Sequence, residues 1–585
     1  MALPFWLTTV VAAALRFSRN ECGNYALVFA VAVVPVTGSV AAAVDYSIMT
    51  RIKGELQEAV DASVLAAASA FAIDYQANSL AKIGDDYFRA NFEAPEDIDT
   101  PAYTLTIGPS ADINSTGEST GLALIAEAKT NYTLHFGSFV GLESTKIGAR
   151  AMVNLSSATL ETAFILDASG SMTDNDAFQK STNAAHDMLL MLKQYALEMK
   201  IATKSDTAFA KYALIPFAWG ANVGSASKNA TWLDQNGWAD HHHDQFDWTQ
   251  GYPATAVASG WKASNKWLTR STALTEIADS WQGCVEARAY PHFLTDAASS
   301  DLVPGTLFVR HFYPDEPDMF GGSEKNFPNN YAEDNIAGAG AGSTIAINGS
   351  NSGNETKQRE RQFWTSKYNK FSLVADYAKD GLGPNRNCFG FEIVPLNEQF
   401  GLTNSYISNL NVTFSDAHTI GSGANDGSTN IQQGLVWGWH VLSSTLPYSE
   451  GRPETDVNNR KVAILITDGV NSYGTNGTAN GSEYGAFGFL ADDRLDEGLS
   501  NPGSMTTRQK MDAHTLSTCT NMRNAGIELY VIGYGVAAGS YEESFLKQCA
   551  GGDRSIQYYH TVDDSNLTAT IETIRNSLID IRLAS

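Results

Sequence analysis

Oxygen-bearing side chains follow an apolar stretch in the motif Asp167-x-Ser169-x-Ser171. A carboxylate and two hydroxyls are hard ligands, which suit Mg²⁺, Mn²⁺ or Ca²⁺ better than zinc or copper. A second apolar stretch ends at Asp468, and Thr429 lies in a polar loop just before a helical pattern. Three such loops, each at a strand end or a helix start, indicate one divalent-cation site. The alternative is a serine-rich helix cap after a buried strand.

This combination resembles the metal-ion-dependent adhesion site of the von Willebrand factor A domain family. The resemblance implies direct binding of the ion through Ser169 and Ser171. It also implies a third ligand at Thr429 and outer carboxylates at Asp167 and Asp468. Hydroxyls and water neutralise little of the charge of a cation. The resemblance therefore implies Mg²⁺, or Mn²⁺ or Ca²⁺, with an open coordination position for a carboxylate of a partner protein.

Apolar strands and helical stretches alternate from about residue 159 onward. This alternation predicts a Rossmann-like α/β fold, with a parallel sheet and helices on both faces. Such sheets bind ligands at the carboxyl ends of their strands, where Asp167 and Asp468 fall. The last helix is expected over Asp564–Ile581, and the strands over Phe164–Leu166, Tyr212–Phe217, Val462–Thr467, Glu528–Tyr534 and Ile556–Tyr559.

A large insertion, from Trp219 to about Gly390, interrupts this pattern. It holds eight of the eleven tryptophans of the chain. We expect these to form the core of a subdomain closed by a disulfide; the alternative is a surface that binds sugar or peptide. Composition predicts mobile loops over Ala337–Asn354 and Gly474–Gly485, the second close to the predicted ion.

The chain has five cysteines. Cys22 adjoins an apolar run, and the other four form an even set, as is typical of an oxidising compartment. Of the three possible pairings, we favour Cys284 with Cys388 and Cys519 with Cys549, because each pair closes one local region. Four buried thiols are the alternative.

Tyr25–Val44 is an uncharged run of twenty residues, long enough to cross a bilayer as a helix. A cleaved signal peptide is the alternative, with Arg16 and Arg19 before the apolar core and a cleavage site at Ala41–Ala43. The length of the run and the helical pattern that continues past it favour a retained anchor. The positive-inside count is a tie and gives no orientation.

Apolar residues recur at helical spacing after Ser47, which predicts a long helix that continues to about Asn91. Ala102–Leu155 then alternates in four short stretches bounded by Gly, Ser and Asn, including Tyr132–Phe136. These stretches predict a small antiparallel sheet. A long helix packed on such a sheet is a pilin-like plan.

This segment resembles the Flp/Tad pilus-assembly proteins of the TadG kind. The resemblance is carried by Phe17–Ala26, Pro35, Gly38, Asp45-Tyr46, Leu56-Gln57 and Asp61-Ala62, and later by Trp281–Arg288, Phe312–Pro317 and Gly438–Ser443. Val28 occupies the position of the cleavage-site glutamate of processed pilin relatives, so no peptidase processing is expected.

The TadG resemblance implies a single-pass protein of the bacterial inner membrane with most of its chain in the periplasm. The expected division is a cytoplasmic N-terminus (1–23), a transmembrane helix (24–45), a pilin-like stalk (46–157) and an A domain (158–585) with its insertion at about 219–390. The expected function is a component of pilus assembly that captures an acidic side chain of a partner, such as another pilus-assembly subunit. The alternative is a surface ligand-binding or adhesion protein that uses the tryptophan-rich insertion.

Composition argues against other functional classes. The chain has 64 acidic and 39 basic residues, for a net charge of −25, and no basic stripe for nucleic-acid phosphates. No nucleophile elbow, zinc-binding helix or phosphate-binding loop is found in the sequence, so an enzyme is not expected. His241–His243 is expected to be a solvated tract rather than a metal site.

Overall fold

The computed structural model divides into two compact units, residues 1–157 with 202–204 and 579–585, and residues 158–201 with 205–578. Residues 1–21 and the predicted loop Ala337–Asn354 lie outside the part of the chain that it describes. The described residues are 22–71, 77–96, 98–109, 122–136, 143–155, 159–172, 177–203, 208–246, 269–318, 327–332, 359–363, 365–368, 373, 381–401, 403–405, 407, 428–456, 459–552, 557–561, 564–578 and 581–582.

Two helices begin the described part of the first unit: α1, Cys22–Phe71, and α2, Ala77–Asn91. α1 is long and apolar enough to cross a membrane. Within its apolar part the Thr37 hydroxyl donates to the carbonyl of Val33 (2.6 Å), an arrangement that is tolerated in hydrocarbon. The helical spacing of the apolar residues predicted one continuous helix over both segments. Instead, α2 packs against α1 as a separate helix.

The first unit also contains the expected small antiparallel sheet. Its strands lie in the order β1, β2, β3, and α1 packs on β2 and β3. The stretch predicted as a separate strand at Tyr132–Phe136 instead begins within β2, which ends at Thr133. Ile581–Arg582 pairs with β3, so the C-terminal residues belong to this unit and not to the unit in which the sequence analysis placed them. The strands are β1 Ala102–Pro109, β2 Leu122–Thr133 and β3 Ser144–Leu155.

The second unit has the predicted α/β fold. Its described sheet has the order β11-β10-β9-β4-β5-β8, parallel except for the unpredicted edge strand β8. β6 and β7 form a separate two-stranded ribbon in the insertion. The elements are β4 Thr159–Asp167, α3 Ala177–Thr203, β5 Ala210–Phe217, β6 Ala221–Asn222, α4 Arg270–Glu276, β7 Cys284–Val285, β8 Val394–Asn397, α5 Ile431–Leu442, β9 Asn459–Thr467, α6 Thr507–Asn524, β10 Glu528–Tyr534, α7 Tyr541–Ala550, β11 Tyr558–Thr561 and α8 Asp564–Leu578.

Both faces of this sheet are covered by helices. Successive side chains of a strand point to opposite faces, and in β4 the side chains on both faces are buried and mostly apolar. Ile165 packs in a cluster with residues of α5, α6 and α7. Phe164 and Leu166 pack in a second cluster with residues of α3 and α8. A parallel sheet buried on both faces explains the continuous apolar runs of its strands.

The helix α5 approaches the sheet unusually closely. A Cβ atom at Gly434 would lie 2.5 Å from the ring of Phe217, and one at Gly438 would overlap the side chain of Ile165. Real Cβ atoms do not come this close to another carbon, so a larger residue at either position would force the helix or the contacted side chain to shift. The two glycines therefore set the distance between α5 and the strands β4 and β5.

The insertion packs on the outer side of α5, which is buried along its whole length. The ring of Trp437 in α5 lies 4.5 Å from that of Phe308 and 6.3 Å from that of Trp232, measured between centroids. Trp219 and Trp281 are also buried. Of the eight tryptophans of the insertion, Trp219, Trp232 and Trp281 are therefore core residues, as expected, whereas Trp238 is exposed. The other four, Trp248, Trp261, Trp267 and Trp364, lie outside the described residues.

Two disulfides close the second unit. Cys284 is joined to Cys388 and Cys519 to Cys549, across separations of 104 and 30 positions. This is the pairing that locality favoured. The first bond ties β7 of the insertion to the segment before β8, and the second ties α6 to α7.

Two segments differ from their sequence-based expectations. His242, expected in a solvated tract, is buried, with its Nδ1 atom 2.7 Å from the Asp234 carboxylate. The glycine-rich segment Gly474–Gly485 was expected to be a mobile loop. Instead, its buried Asn480 donates to the carboxylate of Glu316 (2.7 Å) in the insertion. Tertiary contacts of polar side chains, which local composition does not reveal, account for both differences.

We predict that replacing Cys519 and Cys549 together by serine lowers the unfolding free energy of the second unit by about 2–4 kcal/mol, because the cross-link restricts the unfolded chain. Urea unfolding monitored by near-ultraviolet circular dichroism measures this. The control is Cys22→Ser, which lies outside both disulfides and should leave the midpoint unchanged. Equal midpoints for the double variant and the control would contradict the prediction.

Candidate functional site

The carboxylate of Asp167 lies at the carboxyl end of the central strand β4 and is fully buried. One of its oxygens accepts a hydrogen bond from the backbone N–H of Ser169 (3.0 Å), and the other accepts one from the hydroxyl of Thr467 (2.6 Å). In the turn that follows, the hydroxyl oxygens of Ser169 and Ser171 lie 3.2 Å apart. Ser169 is buried and Ser171 is exposed. The turn therefore carries its hydroxyls from the buried carboxylate towards the surface.

Asp468 follows the neighbouring strand. β4 and β9 are parallel and pair in register as far as Leu166 and Ile466, so Asp167 and Asp468 leave adjacent strand ends. Burial, together with the negative charge of Asp468, raises the pKa of Asp167 to about 7. Two neighbouring carboxylates repel each other. A divalent cation beside them would reduce this electrostatic cost.

Thr429 directly precedes α5, whose N-cap residue is Asn430. The backbone N–H of Asn430 donates to the carbonyl of Ala218, just after β5 (2.8 Å). The N–H of Ala168 donates to the carbonyl of Phe217, one residue earlier (2.7 Å). The end of β5 therefore connects the Thr429 loop to the turn that follows β4.

The segment after β9 fixes the Thr429 loop from a second side. Thr429 and Ser472 exchange two backbone hydrogen bonds of 3.0 Å. The side-chain oxygen of Asn471 accepts from the N–H of Ile431 (3.0 Å), and its amide donates to Asp512 of α6 (2.8 Å). The loop position is thus determined by β5, by the chain after β9 and by α6.

A cavity of about 50 Å³ opens between these loops. That volume is enough for one or a few water-sized molecules. The turn after β4, the loop of Thr429, the chain after β9 and the insertion all contribute to its wall, which includes Ser169, Gly170, Ser428, Asn430, Ser472, Glu483, Trp219, Asn387, Phe389 and Phe391. The insertion therefore covers one side of this cavity, which Ser169 also lines.

The structure brings all three predicted loops to one edge of the sheet. Asp167, Ser169 and Ser171 share one turn, and Asp468 leaves the adjacent strand. Thr429 lies in the loop that lines the same cavity as Ser169. Among the described residues, no group of three or more His, Cys, Asp or Glu side chains is arranged to hold a metal. A site here would therefore depend on hydroxyl oxygens and a few carboxylates.

This donor set fits a hard divalent cation such as Mg²⁺. Both oxygens of Asp167 already accept hydrogen bonds within the protein. In a cation site, Asp167 would therefore supply negative charge and orient the turn, as the sequence predicted for an outer carboxylate. Binding of an ion at Ser169, Ser171 and Thr429 stays a prediction.

Several residues of the site were missed by sequence reasoning. Thr467 bonds to Asp167, and Asn430 joins the loop of Thr429 to β5. The N-cap position of Asn430 before an apolar helical run was a usable signal. No sequence signal pointed to Trp219 and Asn387, because only the folded insertion brings them to the cavity.

Comparison with known proteins identifies the N-terminal segment. Residues 23–70 match a family model described as putative Flp pilus-assembly TadE/G-like. This match confirms the N-terminal resemblance found in the sequence. No curated protein matches the chain significantly.

Solved structures of bacterial pilus proteins are among those that are similar to this chain. The open conformation of the pilus adhesin SpaC from Lactobacillus rhamnosus GG aligns with 83% of this chain at 10% identity and a TM-score of 0.30. The alignment spans only 35% of the length of that adhesin. The von Willebrand factor domain of the type V pili tip protein Mfa5 from Porphyromonas gingivalis aligns over 95% of its length with 72% of this chain, at 8% identity and a TM-score of 0.28. TM-scores this low carry no argument about the fold. The α/β assignment of the second unit therefore rests on the strand order and connections of this chain.

We predict that Gly434→Ala lowers the unfolding free energy of the second unit by about 1–3 kcal/mol, because the new methyl group would overlap the Phe217 ring. Thermal or urea unfolding measures this. The control is Gly503→Ala, where a Cβ would have no neighbour within 4 Å, and its effect should stay within about 0.5 kcal/mol. A Gly434→Ala variant as stable as this control would contradict the close packing of α5.

Proposed function

We propose that this protein is a membrane-anchored component of Flp/Tad pilus assembly. In this proposal, its second unit is an A domain that binds a partner protein through a divalent cation held at Ser169, Ser171 and Thr429. The observation that carries the proposal is the convergence of three oxygen-bearing loops at one edge of the sheet and around one cavity. The TadE/G-like match of residues 23–70 supports the pilus context.

Two separate features support the proposed anchor and its orientation. α1 supplies an apolar helix long enough to cross a membrane. Both disulfides lie in the second unit, and such bonds form and persist in the periplasm but are rare in the cytosol. We therefore place the second unit on the periplasmic side of the bacterial inner membrane. The positive-inside count had left this orientation open.

The residues at the sheet edge would contribute to ion binding in two ways. Ser169, Ser171 and Thr429 would supply neutral oxygens, and Asp167 and Asp468 would supply negative charge from further away. When bound, such an ion offers a coordination position to an incoming carboxylate. The exposed position of Ser171 leaves the turn accessible to a partner. The partner chemistry that fits is an Asp or Glu side chain on another protein, and we infer a binding role rather than an enzymatic one.

The alternative role, in which the tryptophans of the insertion bind sugar or peptide, has less support. Trp219, Trp232 and Trp281 are buried at 6–8% exposure. Trp238 is 36% exposed and is the described tryptophan of the insertion best placed to contact a ligand. The remaining tryptophans of the insertion lie outside the described residues.

The first test measures Mg²⁺ binding by calorimetry on the full chain in detergent. We expect Asp468→Asn to weaken binding by about 10–100-fold, as is typical when a supporting carboxylate is lost, and Ser171→Ala to weaken it at least as much. The matched control is Ser517→Ala, an exposed hydroxyl on α6, which should bind as the unchanged protein does. Lack of measurable Mg²⁺ binding by the unchanged protein would refute the cation site.

The second test measures partner capture. Pilus-assembly proteins that co-purify with the full chain in Mg²⁺ should be lost in chelator and in the Thr429→Ala and Ser171→Ala variants, because the carboxylate contact requires the cation. Circular dichroism verifies that the variants fold. Capture that persists unchanged in chelator and in both variants would show that binding does not use this site.

A further inference from the structure

Asp45 is the first charged residue after the uncharged run of α1. A twenty-residue helical run spans the hydrocarbon thickness of a bilayer, about 30 Å. If Tyr25–Val44 crosses the membrane, Asp45 lies at the boundary between the hydrocarbon and the headgroups. Its carboxylate is nevertheless buried within the first unit, at 5% exposure.

The segment just after β2, which here means residues 134–136, encloses this carboxylate. One Asp45 oxygen accepts from the backbone N–H of His135 (2.9 Å), and the other accepts from the N–H of Phe136 (3.0 Å). The hydroxyl of Tyr132 lies 3.5 Å away, and the His135 imidazole lies 3.9 Å away. An ionised carboxylate at this depth is costly without partners, and these donors offset that cost. The contacts fix the segment after β2 beside the point at which the uncharged run of α1 ends.

Two aromatic residues next to these contacts have exposed side chains. Tyr46 is 66% exposed and Phe136 is 42% exposed. Aromatic residues are enriched at the membrane–water interface, where their rings contact the headgroup region. In water the same exposure would be unfavourable, because it would leave the apolar surface of the rings hydrated.

We propose that the segment after β2 is a second membrane contact, in which Phe136 and Tyr46 insert into the headgroup layer of the bilayer that α1 crosses. Asp45 is its positioning residue, because it bonds the segment to the helix at this height. The partner is the lipid surface itself. The contact would restrict the tilt and rotation of the first unit about its anchor. It rests on the membrane anchoring of the proposed function, and the experiment separates the two.

Spin labels on single cysteines measure the depth of each position in vesicles of phosphatidylethanolamine and phosphatidylglycerol that contain the full chain. Cys22→Ala supplies the background, since the other four cysteines are paired in disulfides. Labels are placed through Val34→Cys in the apolar part of α1, Phe136→Cys in the proposed contact and Tyr87→Cys as the matched control. Collision with oxygen, which is concentrated in lipid, is compared with collision with a water-soluble nickel chelate.

Tyr87 is a suitable control because it is an exposed aromatic residue of the same unit, far from the boundary. Its neighbour Phe88 stacks on Tyr103, whose hydroxyl bonds to Ser63 (3.0 Å) on α1. Ser63 lies eighteen positions after Asp45, about 27 Å along the helix. A label at position 87 should therefore collide more with the nickel chelate than with oxygen.

We expect the labels at positions 34 and 136 to collide more with oxygen than with the chelate, with position 136 within about 5–10 Å of the headgroup–acyl boundary. A label at 34 in lipid with a label at 136 in water would overturn the lipid contact and leave the anchor intact. Labels at both positions in water would refute the anchor. A label at 136 protected from both reagents would indicate a protein partner and would also overturn the proposal.

The role of Asp45 is tested by Asp45→Ala in the same background. The label at 136 should lose its preference for oxygen, while the label at 34 stays in lipid. Asp61→Ala, an exposed carboxylate further along α1, is the control and should leave both labels unchanged. A label at 136 that keeps its depth in Asp45→Ala would show that Asp45 does not position the segment.

Discussion

The close approach of α5 to the sheet is the constraint on which the second unit depends. Gly434 and Gly438 leave no side chain between the helix and the strands β4 and β5. The start of the helix, with Thr429 and Asn430, is thereby held beside the end of β5. A helix without these glycines would lie further out, and the loop before it would move away from the turn of Ser169.

The insertion stabilises this arrangement from outside. Its aromatic residues pack on Trp437, which makes α5 a helix that is buried on every side. Its buried Glu286 pairs with Arg270 of the insertion and with Arg494 of the chain after β9 (2.8 Å). Removing one partner from such a buried cluster would leave an uncompensated charge. The insertion is therefore part of the framework of the sheet edge as well as a wall of the cavity.

Electrostatics distinguish the sheet edge from an ordinary strand end. Asp167 is desolvated and lies near a second carboxylate, and its pKa is raised to about 7. Hydrogen bonds from Ser169 and Thr467 stabilise its charged form only in part. A carboxylate kept in such surroundings costs stability, and an ion at the neighbouring hydroxyls would offset that cost. This is the physical basis for expecting a cation at this edge.

The sequence by itself determined the class of each unit and the identity of the candidate ligands. Apolar periodicity and the alternation of strands and helices depend on local patterns, and these predicted α1, the small antiparallel sheet and the α/β fold. The motif around Asp167 is also local, so its residues could be named in advance. Tertiary structure alone decided that α1 and α2 are separate packed helices, that His242 and Asn480 are buried, and that Ile581 and Arg582 pair with β3. It also decided which residues of the insertion line the cavity. Each of these depends on contacts between segments far apart in the chain, and no short window of sequence records such contacts.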